Sequence, residues 1–218
     1  MRTASGFRDV LETTDELRAL YRRPNAVVEA KKTDHVDETT ARFIAVSPFV
    51  LVATSDPDGS CDVSPRGGPP GFVRVLDEHR HALPDLGGNN LLDSITNILA
   101  NPHIGLLFVR PGTDETLRVD GRAVITTDPR VLDLWDGELR RPKAAIGIEV
   151  EHLFIHCAKA FRRGEVWHPD RWNLDPSAPD ASELFVGHAG LDIDPAVVRK
   201  DLDAGYEAEL AGERISPA

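Results

Sequence analysis

The chain has 218 residues, 41% of them hydrophobic, which is enough to bury a core and suggests one domain with additions. Its formal net charge of −11 argues against a general nucleic-acid surface, which needs clustered Lys and Arg, but leaves room for a local basic pocket that takes a small anion. Two cysteines, Cys61 and Cys157, are too few for a disulfide framework and lack zinc-ligand spacing, so reduced thiols are expected. No apolar run reaches membrane-spanning length, and the first residues lack a signal-peptide apolar stretch; the expectation is a cytoplasmic protein.

Taken in order, Arg8 to Arg22 carries Val10, Leu11, Leu17, Leu20 and Tyr21 at roughly helical spacing, and Pro24 stops it. A second short helix is predicted over Asp37 to Val46, ended by Ser47-Pro48. These helices are expected to cover one side of a sheet. Phe49 to Ser55 is a β-prone run, and Asp56-Pro-Asp-Gly59 is a turn in which Pro sets φ and Gly supplies a positive φ, so the next strand, Ser60 to Arg66, returns antiparallel. Phe72 to Leu76 and Arg80 to Leu83 frame another hairpin. Leu91, Leu92, Ile95, Ile98 and Leu99 predict a helix over Asn90 to Ala100, closed by Asn101-Pro102.

Strands are then predicted over Ile104 to Arg110, Thr116 to Thr126, Ala144 to Val150 and Leu153 to Ala160, with a helix opening at Asp128-Pro129. The chain turns polar and proline-rich after Trp167, followed by helices over Ala181 to Val186 and Pro195 to Leu210 and a frayed end. Short hairpin connections predict a mostly antiparallel barrel of mixed α+β content. The expected division is an N-terminal helical cover over 1–48, a barrel over 49–172 and a C-terminal extension of the same domain over 173–218.

Within this frame, Ser60 to Ala123 gathers glycines, small hydrogen-bonding residues and arginines at strand ends, the composition that holds a phosphorylated ligand. The order of its motifs is Asp56-Pro-Asp-Gly59, Asp62-Val-Ser-Pro-Arg66, Leu83-Pro-Asp85, Gly88-Asn-Asn90, Asn101-Pro102 and Thr116-Leu-Arg-Val-Asp-Gly-Arg-Ala123. Together they resemble the pyridoxamine 5′-phosphate oxidase-related proteins over Val46 to Trp172. His156-Cys-Ala-Lys-Ala160 and Trp167 are similar to a bacterial branch of that family. The resemblance implies a split antiparallel β-barrel of the FMN-binding type, a homodimer with FMN at the subunit interface, and oxidoreductase activity on a small substrate. It implies flavin contacts from Val63, Ser64 and Arg66, from Pro84 and Asp85, and from Asn89 and Asn90. Thr116 matches a polar position on a later strand, and Lys159 with Arg162 lies in a segment that the partner subunit contributes in such proteins.

Simpler roles compete for each residue. Arg66 also fits a surface turn, Asn89 and Asn90 also fit helix N-caps, and Lys159 also fits a solvated strand end. Arg118 and Arg122 face one side and are read as partners of Asp120 neighbours. His152, His156 and Cys157 lack a carboxylate to complete a metal set, so no metal is expected. No Gly-x-Ser-x-Gly elbow, Walker motif or Rossmann fingerprint occurs, and no acid–base pair stands out, so the chemistry is assigned to a cofactor and no catalytic residue is named. The chain departs from the family pattern at Leu86 and Leu91, where arginines are expected, and at Gly68, where an aspartate is common. Losing two charge-assisted contacts predicts FMN binding weaker by about two to four orders of magnitude. A non-catalytic binder of flavin, haem or another cofactor on the same barrel is the alternative.

Overall fold

The computed structural model describes residues 6–172 and 175–213. The expected fraying of the last residues falls outside them. The chain divides into two compact units, Met1–Lys32 and Thr33–Ala218. In the first, α1 (Thr14–Leu20) starts at a capping box in which Glu16 N–H donates to Thr13 Oγ1 at 3.2 Å and Thr13 N–H donates to Glu16 Oε2 at 2.9 Å. Asn25 caps α2 (Ala26–Ala30), a helix the apolar spacing does not reveal. Neither helix buries a residue.

The second unit opens with α3 (Glu38–Ala45), capped by Asp37, whose Oδ1 accepts from Thr40 N–H at 2.7 Å. Seven strands follow: β1 (Phe49–Ser55), β2 (Cys61–Gly67), β3 (Arg74–Val75), β4 (Arg80–Pro84), β5 (His103–Val109), β6 (Thr116–Thr126) and β7 (Ala145–His156). They form one antiparallel sheet in the order β2-β1-β5-β6-β7-β4-β3. Between them lie α4 (Asp93–Ala100) and α5 (Pro129–Leu132), the latter running into a 3₁₀ turn; after them come α6 (Lys159–Arg163), α7 (Ala181–Ala189) and α8 (Pro195–Glu213). No helix among the described residues is long and apolar enough to cross a membrane.

The sheet rolls because its alternating inner residues share one core. Val50 and Val52 of β1, Leu106 and Phe108 of β5, Val119 of β6, Ile146 and Ile148 of β7 and Leu83 of β4 form a single cluster, although β1 and β4 are four places apart in the sheet. Burial of each such side chain is worth about 1.5–3 kcal/mol. Ile44 of α3 and Ile98 of α4 complete this core. The sheet does not close, since β2 pairs only with β1 and β3 only with β4, and the result is a split antiparallel β-barrel.

The last two predicted strands are one. β7 runs unbroken through Glu151 and His152 because the register shifts opposite Asp120 and Gly121, a bulge that leaves both residues exposed. A Cβ on Gly121 would lie 2.0 Å from the Glu149 carbonyl oxygen, so only glycine fits. The strand ends at His156, and the residues after it, predicted as strand to Ala160, turn into α6 instead.

Candidate functional site

The Asp56-Pro-Asp-Gly59 turn forms as the residues dictate, with Gly59 at φ +89° and its N–H donating to Asp56 O at 3.2 Å. It returns β2 with Asp62, Ser64 and Arg66 half-buried on one face, and with Cys61, Val63 and Pro65 exposed on the other. Val63 therefore points away from Ser64 and Arg66. Asp62 Oδ2 accepts from Ser94 Oγ at 2.7 Å and from Thr54 Oγ1 at 3.4 Å, while Asn97 Nδ2 donates to Thr54 Oγ1 at 3.0 Å. This network ties α4 to β1 and β2, which makes Asp62 a fastening and leaves Ser64 and Arg66 as the chemically available pair. The Arg66 guanidinium donates to Ser64 Oγ, and to Pro65 O at 3.0 Å.

Pro84 closes the β4–β7 ladder opposite Ala145, and Asp85 N–H extends it by donating to Ala144 O at 3.0 Å. Asp85 is half-buried; burial raises its carboxyl above the ordinary carboxylate range, and the charges of Arg66 and then Lys143 oppose that rise. The charges of Arg66 and Lys143 are thus felt at Asp85, and Lys143 is a residue that the motifs do not point to. Its only sequence signal is the basic run Arg140-Arg-Pro-Lys143 leading into β7.

The positions that depart from the family pattern have structural reasons. Leu86 packs with Ala82, Trp135 and Leu139 in a second apolar cluster. At Gly68 a Cβ would stand 2.6 Å from Phe72 Cγ, and Phe72 is held by Trp135 Nε1, which donates to its carbonyl at 2.8 Å. An aspartate at this position would clash with a side chain of the core.

Asn89 and Asn90 are exposed and are not N-caps. The helix starts at Asp93, later than predicted, because Asn90 and Leu92 both take left-handed backbone (φ 59° and 61°) and Leu92 is the N-cap without a side-chain bond. Asn89 Oδ1 instead accepts from Leu91 N–H at 3.1 Å. Leu91 and Leu92 stand 68% and 50% exposed at this turn.

The remaining predicted residues form a separate group. Thr116, buried at the start of β6, pairs with His156 at the end of β7. Lys159, exposed, lies on α6 and not at a strand end. Arg162 Nε donates to Asp114 Oδ2 at 2.9 Å, and Trp167 Nε1 donates to Thr113 O at 2.9 Å, so α6 is anchored beside Thr116. Pro84 and Asp85 sit at the Ala145 end of β7 and this group at the His156 end, roughly 36 Å apart along the strand. Arg118 pairs with Asp120 of its own strand at 2.8 Å.

One buried polar side chain escaped the sequence reading. His81 of β4 lies in register between Val75 and Ile148 with no exposure, and neither ring nitrogen has a hydrogen-bond partner. Burial pushes its pKa down to about 4, with the Asp77 carboxylate acting the other way. It is a neutral imidazole in an apolar core. A concavity of about 710 Å³ between α7 and α8, lined by Asp180, Glu183 and Arg199 among others, contains none of the predicted residues. Among the described residues no three His, Cys, Asp or Glu side chains are grouped to hold a metal.

The family model of pyridoxamine 5′-phosphate oxidase matches residues 36–157, more than half of the chain. No curated protein matches it. Among solved structures, HupZ of Group A Streptococcus is 22% identical, with 56% of this chain and 99% of that one covered at a TM-score of 0.47. A Lactobacillus delbrueckii protein provisionally named a pyridoxamine 5′-phosphate oxidase is 22% identical, covering 57% and 98% at a TM-score of 0.45. An F420 reductase is 21% identical, covering 56% and 98% at a TM-score of 0.39.

Proposed function

Since the chain belongs to the pyridoxamine 5′-phosphate oxidase family, we propose that it binds FMN and acts as an FMN-dependent oxidoreductase on a small substrate. The observation that carries the reading is the oriented Arg66 guanidinium beside Ser64 on β2, whose charge is felt at Asp85 just past β4. The Arg66 guanidinium is oriented by Ser64 Oγ and Pro65 O, yet pairs with no carboxylate within 4 Å among the described residues. A fixed and un-neutralised guanidinium beside a hydroxyl suits a phosphate monoester, so the donor set fits FMN.

When bound, FMN supplies hydride transfer. The chain's own residues would do the binding: Arg66 holds an anionic oxygen, Ser64 keeps the guanidinium in place, and Asn89 and Asn90 offer amides from the turn. Asp85, with its raised pKa, retains a proton more readily than an ordinary carboxyl and so opposes an anionic ligand less. Thr116, Lys159 and Arg162 lie at the other end of the β7 ladder. A homodimer whose two-fold brings α6 of one subunit to Arg66 of the other would join the groups, and we include it in the proposal.

Absorbance of the purified protein and a titration with FMN followed by flavin fluorescence test the reading. Binding that Arg66→Ala weakens by about tenfold or more supports it; an absence of flavin binding by the wild-type chain removes it. The exposed Leu91 and Leu92 favour a second reading, a non-catalytic holder of a flat, partly apolar cofactor such as flavin or haem. Bound cofactor without reduction by any nicotinamide or small-molecule donor would select it.

A further inference from the structure

Three helices of the chain have no core of their own. α1 and α2 are seven and five residues long, below the length at which an isolated helix holds in water, and neither buries a residue. α8 is nineteen residues long and also buries none. Short or polar helices persist when an apolar face packs on something, and such faces stand exposed on these. Leu17, Leu20 and Tyr21 follow one another at i, i+3 and i+4 along α1 into its C-cap, and Val27 and Val28 stand out from α2. On α8, Leu202, Tyr206 and Leu210 recur at i, i+4 and i+8, with Tyr206 and Leu210 exposed.

The two surfaces carry opposite charge. Residues 18–32 hold Arg18, Arg22, Arg23, Lys31 and Lys32 against Glu29 alone, in a chain of net charge −11. The three arginines make no ion pair within 4 Å among the described residues. Residues 180–213 hold nine carboxylates against Arg199 and Lys200, and Arg199 is already paired with Asp203 at 2.9 Å. At 3.6 residues per turn, Glu207 and Glu209 flank the Leu202-Tyr206-Leu210 stripe on its two sides, and neither has an ion-pair partner within 4 Å. An anionic lipid surface would match the basic segment and leave α8 uncovered. A second copy of the chain matches both.

We propose that the arm of residues 14–32 in one copy docks on the α8 face of a second copy, apolar stripe against apolar stripe, with Arg22 and Arg23 meeting Glu207 and Glu209. A two-fold pair makes the contact twice, so each arm is covered and each α8 covers one. Apolar burial supplies the attraction, while the charges choose the partner and the register. The contact uses none of the residues assigned to the flavin, so it stands or falls apart from that reading.

Hydrogen exchange of the α1 and α2 amides, read by mass spectrometry on the full chain at micromolar concentration, tests it. Docked helices should exchange about tenfold or more slowly than the same peptides unstructured. Arg22→Glu with Arg23→Glu, and separately Glu207→Lys with Glu209→Lys, put like charges across the contact, and each double variant alone should lose the protection. Co-expressed and co-purified through different tags, the two should regain it to within about threefold of wild type, because each arm then meets a helix of opposite sign. All four residues are exposed, and unchanged exchange of the β5 and β6 amides checks that the variants fold. Unprotected arm helices in wild type, or protection that both variants keep, overturn the proposal. So does a loss that co-expression fails to restore, which would confine the contact to one copy. Protection that appears only with phosphatidylglycerol vesicles overturns it in favour of a lipid surface.

Discussion

At the Ala145 end of the β6–β7 ladder, the charge of Arg66 on β2 is felt at Asp85, whose N–H extends the β4–β7 ladder. At the Thr116 end, charge is carried on α6, a short helix fastened by one ion pair and one indole bond. Arg66 and Asp85 are half-buried, so their positions follow from the rolled sheet and the core beneath it. Lys159 and Arg162 are exposed, and their positions follow from local contacts that water and salt weaken. Under the proposed reading, the first region would receive an anion and the second would be used by another subunit.

The contrast breaks most sharply at the bulge that lets β7 span both regions. Gly121→Ala puts a Cβ against the Glu149 carbonyl oxygen, and the ladder has to open or shift. We expect a loss of about 3 kcal/mol or more, measured by denaturant unfolding, with Gly187→Ala as a control because a Cβ there meets nothing within 4 Å.

The core under the first region should respond to acid. His81 has a folded pKa of about 4, below its ordinary value, so on acidification the unfolded chain takes up the proton first. Its contribution is intact above about pH 6.5 and is lost as pH falls from there toward 4, by about 3 kcal/mol in all. His81→Leu should remove that part of the pH dependence and leave the variant at least as stable at neutral pH. Unfolding curves of both proteins between these pH values read the difference, and equal slopes would contradict it.

A smaller effect is expected where α4 is tied to β1 and β2. Asp62→Ala leaves the buried hydroxyls of Ser94 and Thr54 without their acceptor, at a cost of about 2 kcal/mol. The double change with Ser94→Ala should cost less than the sum of the single ones. Hydrogen exchange of the α4 amides would show whether the helix loosens before the barrel does.

The smallest effect belongs to the second region. Arg162→Ala breaks an exposed pair with Asp114 and should change stability by no more than about 1 kcal/mol, with less difference in high salt. A loss of ligand binding without a loss of stability in this variant would sharpen the comparison, since it would mark α6 as a region whose work is done on a partner.

Much of the fold is legible in the sequence because its signals are short-range. The β-prone run from Phe49 to Ser55, the Asp56-Pro-Asp-Gly59 turn and the strand over Thr116 to Thr126 each act within a few residues, and the structure has them at the expected places. Local signals misled where a distant contact overrides them. The polar pair Glu151-His152 reads as a break, but the bulge opposite Gly121 keeps the strand whole. Asn89 and Asn90 read as caps, but two left-handed residues move the start of α4 to Asp93.

For the site, the family resemblance carried by the motif order singled out Val63, Ser64, Arg66, Pro84, Asp85, Asn89, Asn90, Thr116, Lys159 and Arg162 as candidates. The tertiary structure decided that Arg66 is held by Ser64 with its charge felt at Asp85, that Val63 faces away, and that Asp62 is occupied by α4. The physical reason is the roll of the sheet. Residues adjacent in a motif share only backbone geometry, whereas the neighbours of a half-buried carboxyl are chosen by which strand ends the common core draws together.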